Sequence, residues 1–157
     1  MRVELPRRED LDEVLDILSG AARWLRRRGI EQWPDPFPRS RVEDSFSRGE
    51  LYVIRVGEAI AGTFVLQWED ELFWGEQPPV AGYIHAVAVR REHAGIGRQV
   101  IGWAEENVRE AGRSFLRLDC MRDNPALRRY YEALGFEHRG DRLVGGHFDA
   151  SLYEKRV

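Results

Sequence analysis

The chain has 157 residues, of which 43% are hydrophobic and 32% charged, and a formal net charge of −3. That balance describes one globular domain, residues 1–157, with a real core. It gives no basis for bulk attraction to nucleic acid. No apolar run approaches bilayer length, and the opening Met1-Arg2-Val3-Glu4-Leu5-Pro6 has no signal-peptide core. The one cysteine, Cys120, forbids an internal disulfide and suits a reducing cytoplasm.

Residues 3–5 read as a short strand. Asp10 and Glu13 resemble a capping box. After it, Leu11, Val14, Leu15, Leu18, Ala21, Ala22 and Leu25 recur at helical spacing. Gly29 stops that helix, and Arg26, Arg27 and Arg28 complement its dipole. Pro34, Pro36 and Pro38 make residues 30–39 a loop. Ser40 is placed to cap a second helix ending near Gly49.

Residues 51–56 and 59–68 form a hairpin around Gly57-Glu58. Residues 69–79 are an acidic, aromatic loop, and 80–89 a strand. Residues 97–111 are helical, and 115–120 a strand. Asn124, Pro125 and Gly135 stand at N-cap, N1 and C′ of a short helix. Residues 136–142 and 148–155 complete the sheet. The order β-α-α-β-β-β-α-β-α-β-β predicts an α/β (α+β) fold, a mixed sheet with helices on both faces.

The densest chemistry lies in Val87-Ala88-Val89-Arg90-Arg91-Glu92-His93-Ala94-Gly95-Ile96-Gly97-Arg98. A strand runs through a glycine turn into a helix N-terminus. Unpartnered N–H groups and the helix dipole favour a phosphate there. The stretch is neither a Walker loop nor a complete G-x-G-x-x-G, because no glycine follows at the third position.

Three pieces in order resemble the GNAT superfamily of N-acetyltransferases. They are this strand and turn, Asn124-Pro125-Ala126-Leu127, and Tyr131-Glu132-Ala133-Leu134-Gly135-Phe136. One position departs: the family's loop usually opens on Gln or Arg, and Glu92 stands there. The resemblance implies a centrally splayed sheet and acetyl-CoA as co-substrate, with direct transfer to an amine in a ternary complex. The cofactor-binding residues it implies are Val87, Ala88, Val89, Arg90, Arg91, Ala94, Gly95, Ile96, Gly97, Arg98, Asn124 and Tyr131. Arg90, Arg91 and Arg98 would supply positive charge, and the amides of Gly95, Ile96, Gly97 and Arg98 the main contacts. It also gives Tyr131 the role of general acid toward the departing thiolate. A phenol near 10 facing a thiol near 8.5 leaves a gap that local burial is expected to close.

His85 is the candidate base, on the same strand face as Val87 and titrating near 6.5. Glu69, Asp70 and Glu71 are its acidic rivals. Gln32, Trp33, Trp74 and His85 are the candidate acceptor contacts, and the aromatic surplus also suits a homodimer interface. Cys120 reads as an inert buried thiol, and the four histidines show no metal-ligand spacing. A small-molecule amine is the expected acceptor. The alternatives are a protein or peptide N-acetyltransferase, and a non-catalytic acyl-CoA sensor module.

Overall fold

A computed structural model describes residues 1–157. The chain is α+β, with seven strands and five helices, and it divides into two compact units. The first holds residues 1–66 and 86–97; the second holds 67–85 and 98–157. No helix is long and apolar enough to cross a membrane.

In the first unit, β1 (Arg2–Glu4), β2 (Leu51–Val56) and β3 (Ala59–Gln67) pair antiparallel in that order, β3 reaching one residue past the unit's edge. The β2–β3 turn is the expected hairpin, and Gly57 takes φ +63°, a left-handed angle that costs glycine no steric strain. α1 (Leu11–Arg26) buries Leu11, Val14, Leu18 and Ala22 on one face. That face joins α2 (Arg39–Ser47) and β2 through Phe37, Val42, Leu51 and Val53 in one apolar cluster. Burying each large apolar side chain contributes roughly 1.5–3 kcal/mol. At the end of α1 the Ile30 N–H donates to Leu25 C=O at 3.0 Å, across Gly29 at φ +77°, as a left-handed C-terminal residue allows.

Two caps differ from expectation. Asp10 does not cap α1. It ends a 3-10 turn, where its Oδ2 accepts the Arg7 N–H at 2.8 Å and an Arg55 N–H at 2.7 Å. A buried guanidinium needs a carboxylate more than a helix end needs a cap. Ser40 is not an N-cap either. Pro38, with its preset φ, stands there, and its C=O accepts the Arg41 N–H at 3.2 Å.

The second unit orders its strands β4-β5-β7-β6, with β4 (Ala81–Val89), β5 (Phe115–Met121), β6 (Glu137–Val144) and β7 (Phe148–Arg156). β5–β7 and β6–β7 are antiparallel, whereas β4 and β5 run parallel. That parallel ladder covers only Ala81 to Tyr83 against Phe115 to Arg117. Beyond it, residues 84–85 and 118–119 have no partners across the pair, so the expected splay begins there.

The loop over residues 69–79 contains an element the sequence pattern missed: one helical turn, α3 (Glu71–Trp74). Asp70 Oδ1 accepts the Phe73 N–H at 3.3 Å, and Gly75 at φ +68° ends the turn. α4 (Gly97–Glu110) buries Val100, Ile101, Ala104 and Val108. α5 (Pro125–Ala133) starts as expected, with Asn124 Oδ1 accepting the Leu127 N–H at 3.2 Å. Three short turns are additions to the expected order: α3 and the 3-10 turns at Arg8–Asp10 and Arg91–His93.

Candidate active site

β4 carries a break in its own regularity. Ala86 has φ +51°, the one non-glycine residue in the left-handed region. Such a residue costs of order 1–3 kcal/mol and persists only where the surroundings enforce it. Ala86 stands between His85 and Val87, the two residues whose spacing predicts a shared face.

His85, just before the break, is gripped from both sides. Its Nε2 lies 2.9 Å from Asp70 Oδ2, and its Nδ1 3.2 Å from Asp119 Oδ1. Asp70 is held by its cap on α3, and Asp119 stands on β5 two residues past the last ladder pair. The two carboxylate side chains are 6% and 10% exposed, and the imidazole between them 20%. Close as they are, the groups are not aligned as hydrogen bonds. Asp70 Oδ2, His85 Nε2 and Asp119 Oδ1 are each buried without a hydrogen-bonding partner.

Burial works against charging this imidazole, but Asp119 and Asp70 together outweigh it and raise its pKa to about 9. The expectation of a histidine titrating near 6.5 is thus corrected: His85 is mostly imidazolium at neutral pH. Its three donor atoms lie within 4.8 Å of one another, yet the carboxylates sit on opposite ring nitrogens. Those lone pairs diverge, so one cation could take only one nitrogen. The arrangement is a chain rather than a cage.

Tyr131, on α5, packs against Tyr130 and Phe136, with ring centroids 5.4 and 5.7 Å away. Burial, then the charges around Cys120, push its pKa well above the ordinary phenol value. The expectation that burial would close the gap to a thiol is overturned: burial alone widens it. What burial secures is a phenol that stays protonated. Cys120 is buried and free, and burial followed by Asp119 pushes its thiol up to about 12, far from a thiolate nucleophile.

The glycine turn has the conformation expected of it. Gly95 sits at φ +101° with nothing within 4 Å of an added Cβ, so backbone strain, not crowding, selects glycine. Ile96 N–H already donates to His93 C=O at 3.3 Å, and Ala94 N–H to Arg91 C=O at 3.1 Å. The amides of α4's first turn, at Gly97 and Arg98, have no intrahelical acceptor. These groups fit a diphosphate. Arg90 does not offer its charge as expected. Its guanidinium donates to Ile60 C=O and pairs with Glu13, both at 3.0 Å, and its N–H donates to Ala61 C=O. Arg91 stacks over Trp24 at 4.4 Å, and Arg98 is exposed.

Among the expected acceptor contacts, Trp74 is a core residue. It is buried beside Ala81 and Tyr83, with the Arg117 guanidinium over its ring at 4.7 Å. Trp33 packs on the first unit's cluster, edge-on to Phe37 at 6.0 Å. Gln32 keeps a buried, unpartnered Oε1. Phe73, by contrast, lies against the His85 ring at 5.8 Å. Sequence reasoning passed over Asp119 altogether. An aspartate two residues past Arg117 in a β-rich run gave no local signal, and only strand pairing brings it to His85.

Comparison with known proteins gives the family and the fold. A family model described as the acetyltransferase (GNAT) family matches residues 16–136. This chain belongs to the GNAT family of acetyltransferases. A Bacillus subtilis (strain 168) protein described as the uncharacterized N-acetyltransferase YesJ is 31% identical over 160 residues, covering 95% of this chain and 86% of its own. A GNAT-family acetyltransferase structure from Listeria monocytogenes is 28% identical, covers 99% and 94% of the two chains, and has a TM-score of 0.81. The fold also matches yncA from Salmonella typhimurium, solved with its cofactor acetyl-CoA, at 16% identity, 99% and 93% coverage and a TM-score of 0.69. The chain is therefore an acyltransferase enzyme of the acetyl-CoA-dependent kind.

Proposed function

We propose that this GNAT domain, taken as the whole of residues 1–157, acetylates the primary amine of a small molecule by direct attack within a ternary complex. The observation that carries this reading is the carboxylate-flanked His85, placed in the same compact unit as the half-buried phenol of Tyr131. An acid that stays protonated and a base near the pKa of an alkyl ammonium are the pair that amide formation from a thioester requires.

Acetyl-CoA supplies an acyl group already activated as a thioester. The remaining work falls to the chain. Backbone N–H groups at Gly97 and Arg98, with the exposed Arg98 side chain, would hold the diphosphate, and Val87, Ala88 and Val89 would line the pantetheine arm. Arg90 has no part in this reading, since its donors are engaged elsewhere. A strand N–H polarises the thioester oxygen. His85 in its neutral form takes the ammonium proton, and the Tyr131 hydroxyl protonates the departing sulfur. Because His85 is raised to about 9, its neutral fraction grows through the alkaline range, and kcat/KM rises with pH up to about that value.

Phe73, beside His85, is the acceptor contact we favour in place of Trp74. A protein or peptide acceptor is the second reading. The buried free Cys120 accords with a cytoplasmic setting. A second copy forming a homodimer would cover exposed Leu72 or Leu143.

The test is free-thiol release from acetyl-CoA across polyamines, amino acids, aminoglycosides and peptides, followed by Tyr131→Phe on the best acceptor. We expect turnover with one small-amine class. Tyr131→Phe should then lower kcat about 10²–10⁴-fold, with acetyl-CoA affinity retained by calorimetry. Turnover on peptides alone would replace the small-amine reading. Acetyl-CoA binding without turnover on any acceptor, and without effect of Tyr131→Phe, would replace the enzyme reading with a sensor.

A further inference from the structure

His85 is the only histidine here with a carboxylate at each ring nitrogen, and the arrangement is asymmetric. Asp70 sits at the start of a single helical turn, its Oδ1 accepting the Phe73 N–H at 3.3 Å and its C=O the Trp74 N–H at 2.9 Å, whereas Asp119 stands in a strand paired with β7 at Leu152. The charged groups facing the ring are Asp70, from the segment before α3, and Asp119, from β5. α3 itself presents the uncharged ring of Phe73. Asp70 Oδ2 and Asp119 Oδ1 each lie at ion-pair distance from the ring, at 2.9 and 3.2 Å, but out of line for a hydrogen bond. A ligand with its own N–H groups would give these buried oxygens the aligned donors they lack.

We propose that Asp119 is a positioning residue that holds His85 by Nδ1, and that Asp70 Oδ2 binds the acceptor as a protonated primary ammonium beside Nε2. This inference rests on the acetyltransferase reading and names the acceptor's charge and its seat. The acceptor ammonium donates one N–H to Asp70 Oδ2 and a second to the neutral Nε2. The proton moves from nitrogen to Nε2, leaving a neutral amine with its lone pair free and His85 as imidazolium between two carboxylates. The imidazole is the most exposed of the three, and it returns the proton to solvent between turnovers. A neutral aromatic amine has no charge for Asp70 to hold, so alkyl amines are the acceptor class.

Two measurements separate this inference from the reading beneath it. In the resting protein, the His85 ring is titrated by NMR, assigned by its loss in His85→Gln. Asp119→Asn should move its midpoint down by at least one pH unit and change its tautomer; Asp119→Glu should restore most of the shift. Steady-state kinetics then splits the two carboxylates. Asp119→Asn should move the ascending limb of kcat/KM to lower pH and lower its plateau about 10–100-fold, the range for a group that orients another. Asp70→Asn should raise KM for the amine at least tenfold and leave KM for acetyl-CoA unchanged.

If the His85 titration is unmoved in folded Asp119→Asn, Asp119 is structural and the positioning role is wrong. If Asp70→Asn lowers kcat without touching the amine KM, the ammonium seat is wrong. An inactive wild-type enzyme with normal His85 titration shifts would overturn the acetyltransferase reading, and with it the ammonium seat that rests on it.

Discussion

Two of the buried charge clusters in this chain, one in each compact unit, are finished to different degrees. In the first unit, Arg55 is 5% exposed and donates to Glu4 through Nε and to Asp10 through Nη2; Asp10 also accepts the Arg7 N–H. Every buried member has an aligned partner. In the second, Asp70, His85 and Asp119 lie at ion-pair distance with three polar atoms unaligned. An unaligned buried group costs about 1–3 kcal/mol, and Trp74 Nε1 in the core bears the same cost, so incompleteness alone assigns no role. What sets the second cluster apart is an imidazole flanked by two buried carboxylates. It is the seat proposed above for the acceptor ammonium.

The sharpest way to break that contrast is to remove the centre of the finished cluster. Arg55→Met should cost about 3–5 kcal/mol, because Asp10 would lose its buried countercharge and keep only the Arg7 N–H and the exposed Arg7 guanidinium at 3.7 Å. Chemical denaturation measures it. Burial pushes the Asp10 carboxyl up, but the Arg7 N–H and Arg55 outweigh it and hold it below the usual range. A depressed carboxylate stabilises the fold above its unfolded pKa, and that stabilisation is lost as pH falls below about 4. Asp10→Asn should flatten this acid limb. A loss under about 1 kcal/mol in Arg55→Met would mean the finished cluster is not architectural.

The unfinished cluster should fail at the opposite end of the pH scale. His85 is raised to about 9, so its charged form is favoured by folding. The resulting stability is complete below the unfolded value of about 6.5 and is lost as pH rises through 9. The difference corresponds to about 3 kcal/mol. Unfolding midpoints between pH 6 and 10 should decline in the wild type and run nearly flat in His85→Gln. Parallel declines would show that the alkaline loss comes from elsewhere and that the carboxylates grip His85 only weakly.

Most of the fold was legible because it follows from local rules: the hairpin at Gly57, the Asn124 cap and the Gly95 turn each need one residue type at one position. The site was legible only in part. His85 and Tyr131 carry their chemistry in their side chains. Asp119 does not announce itself, because its role depends on β5 lying parallel to β4. Asp70 was one of three acidic rivals that the sequence could not tell apart, and its cap on α3 is what sets it at the ring. Trp74 looked like a substrate wall because aromatic residues in a loop look alike whether they face inward or outward. Ala86 gave no warning at all: its left-handed φ is imposed by tertiary context, against its own preference.

A third pair tests whether burial, rather than the residue types, makes the His85 cluster special. His138 Nε2 and Asp141 Oδ1 are 2.8 Å apart, and Asp141 also accepts the Ser151 hydroxyl at 2.7 Å. Hydrogen bonds from Ser151 and His138 hold the Asp141 carboxyl below its usual range, yet both side chains are only half-buried. The residue types match those around His85, but water reaches the pair and screens it. Asp141→Asn should therefore cost under about 1 kcal/mol and leave the pH profile of acetyl transfer where it was. A shift of that profile comparable with the one expected in Asp119→Asn would show that any histidine–aspartate contact in this unit tunes the reaction. The distinction between finished and unfinished clusters would then lose its meaning.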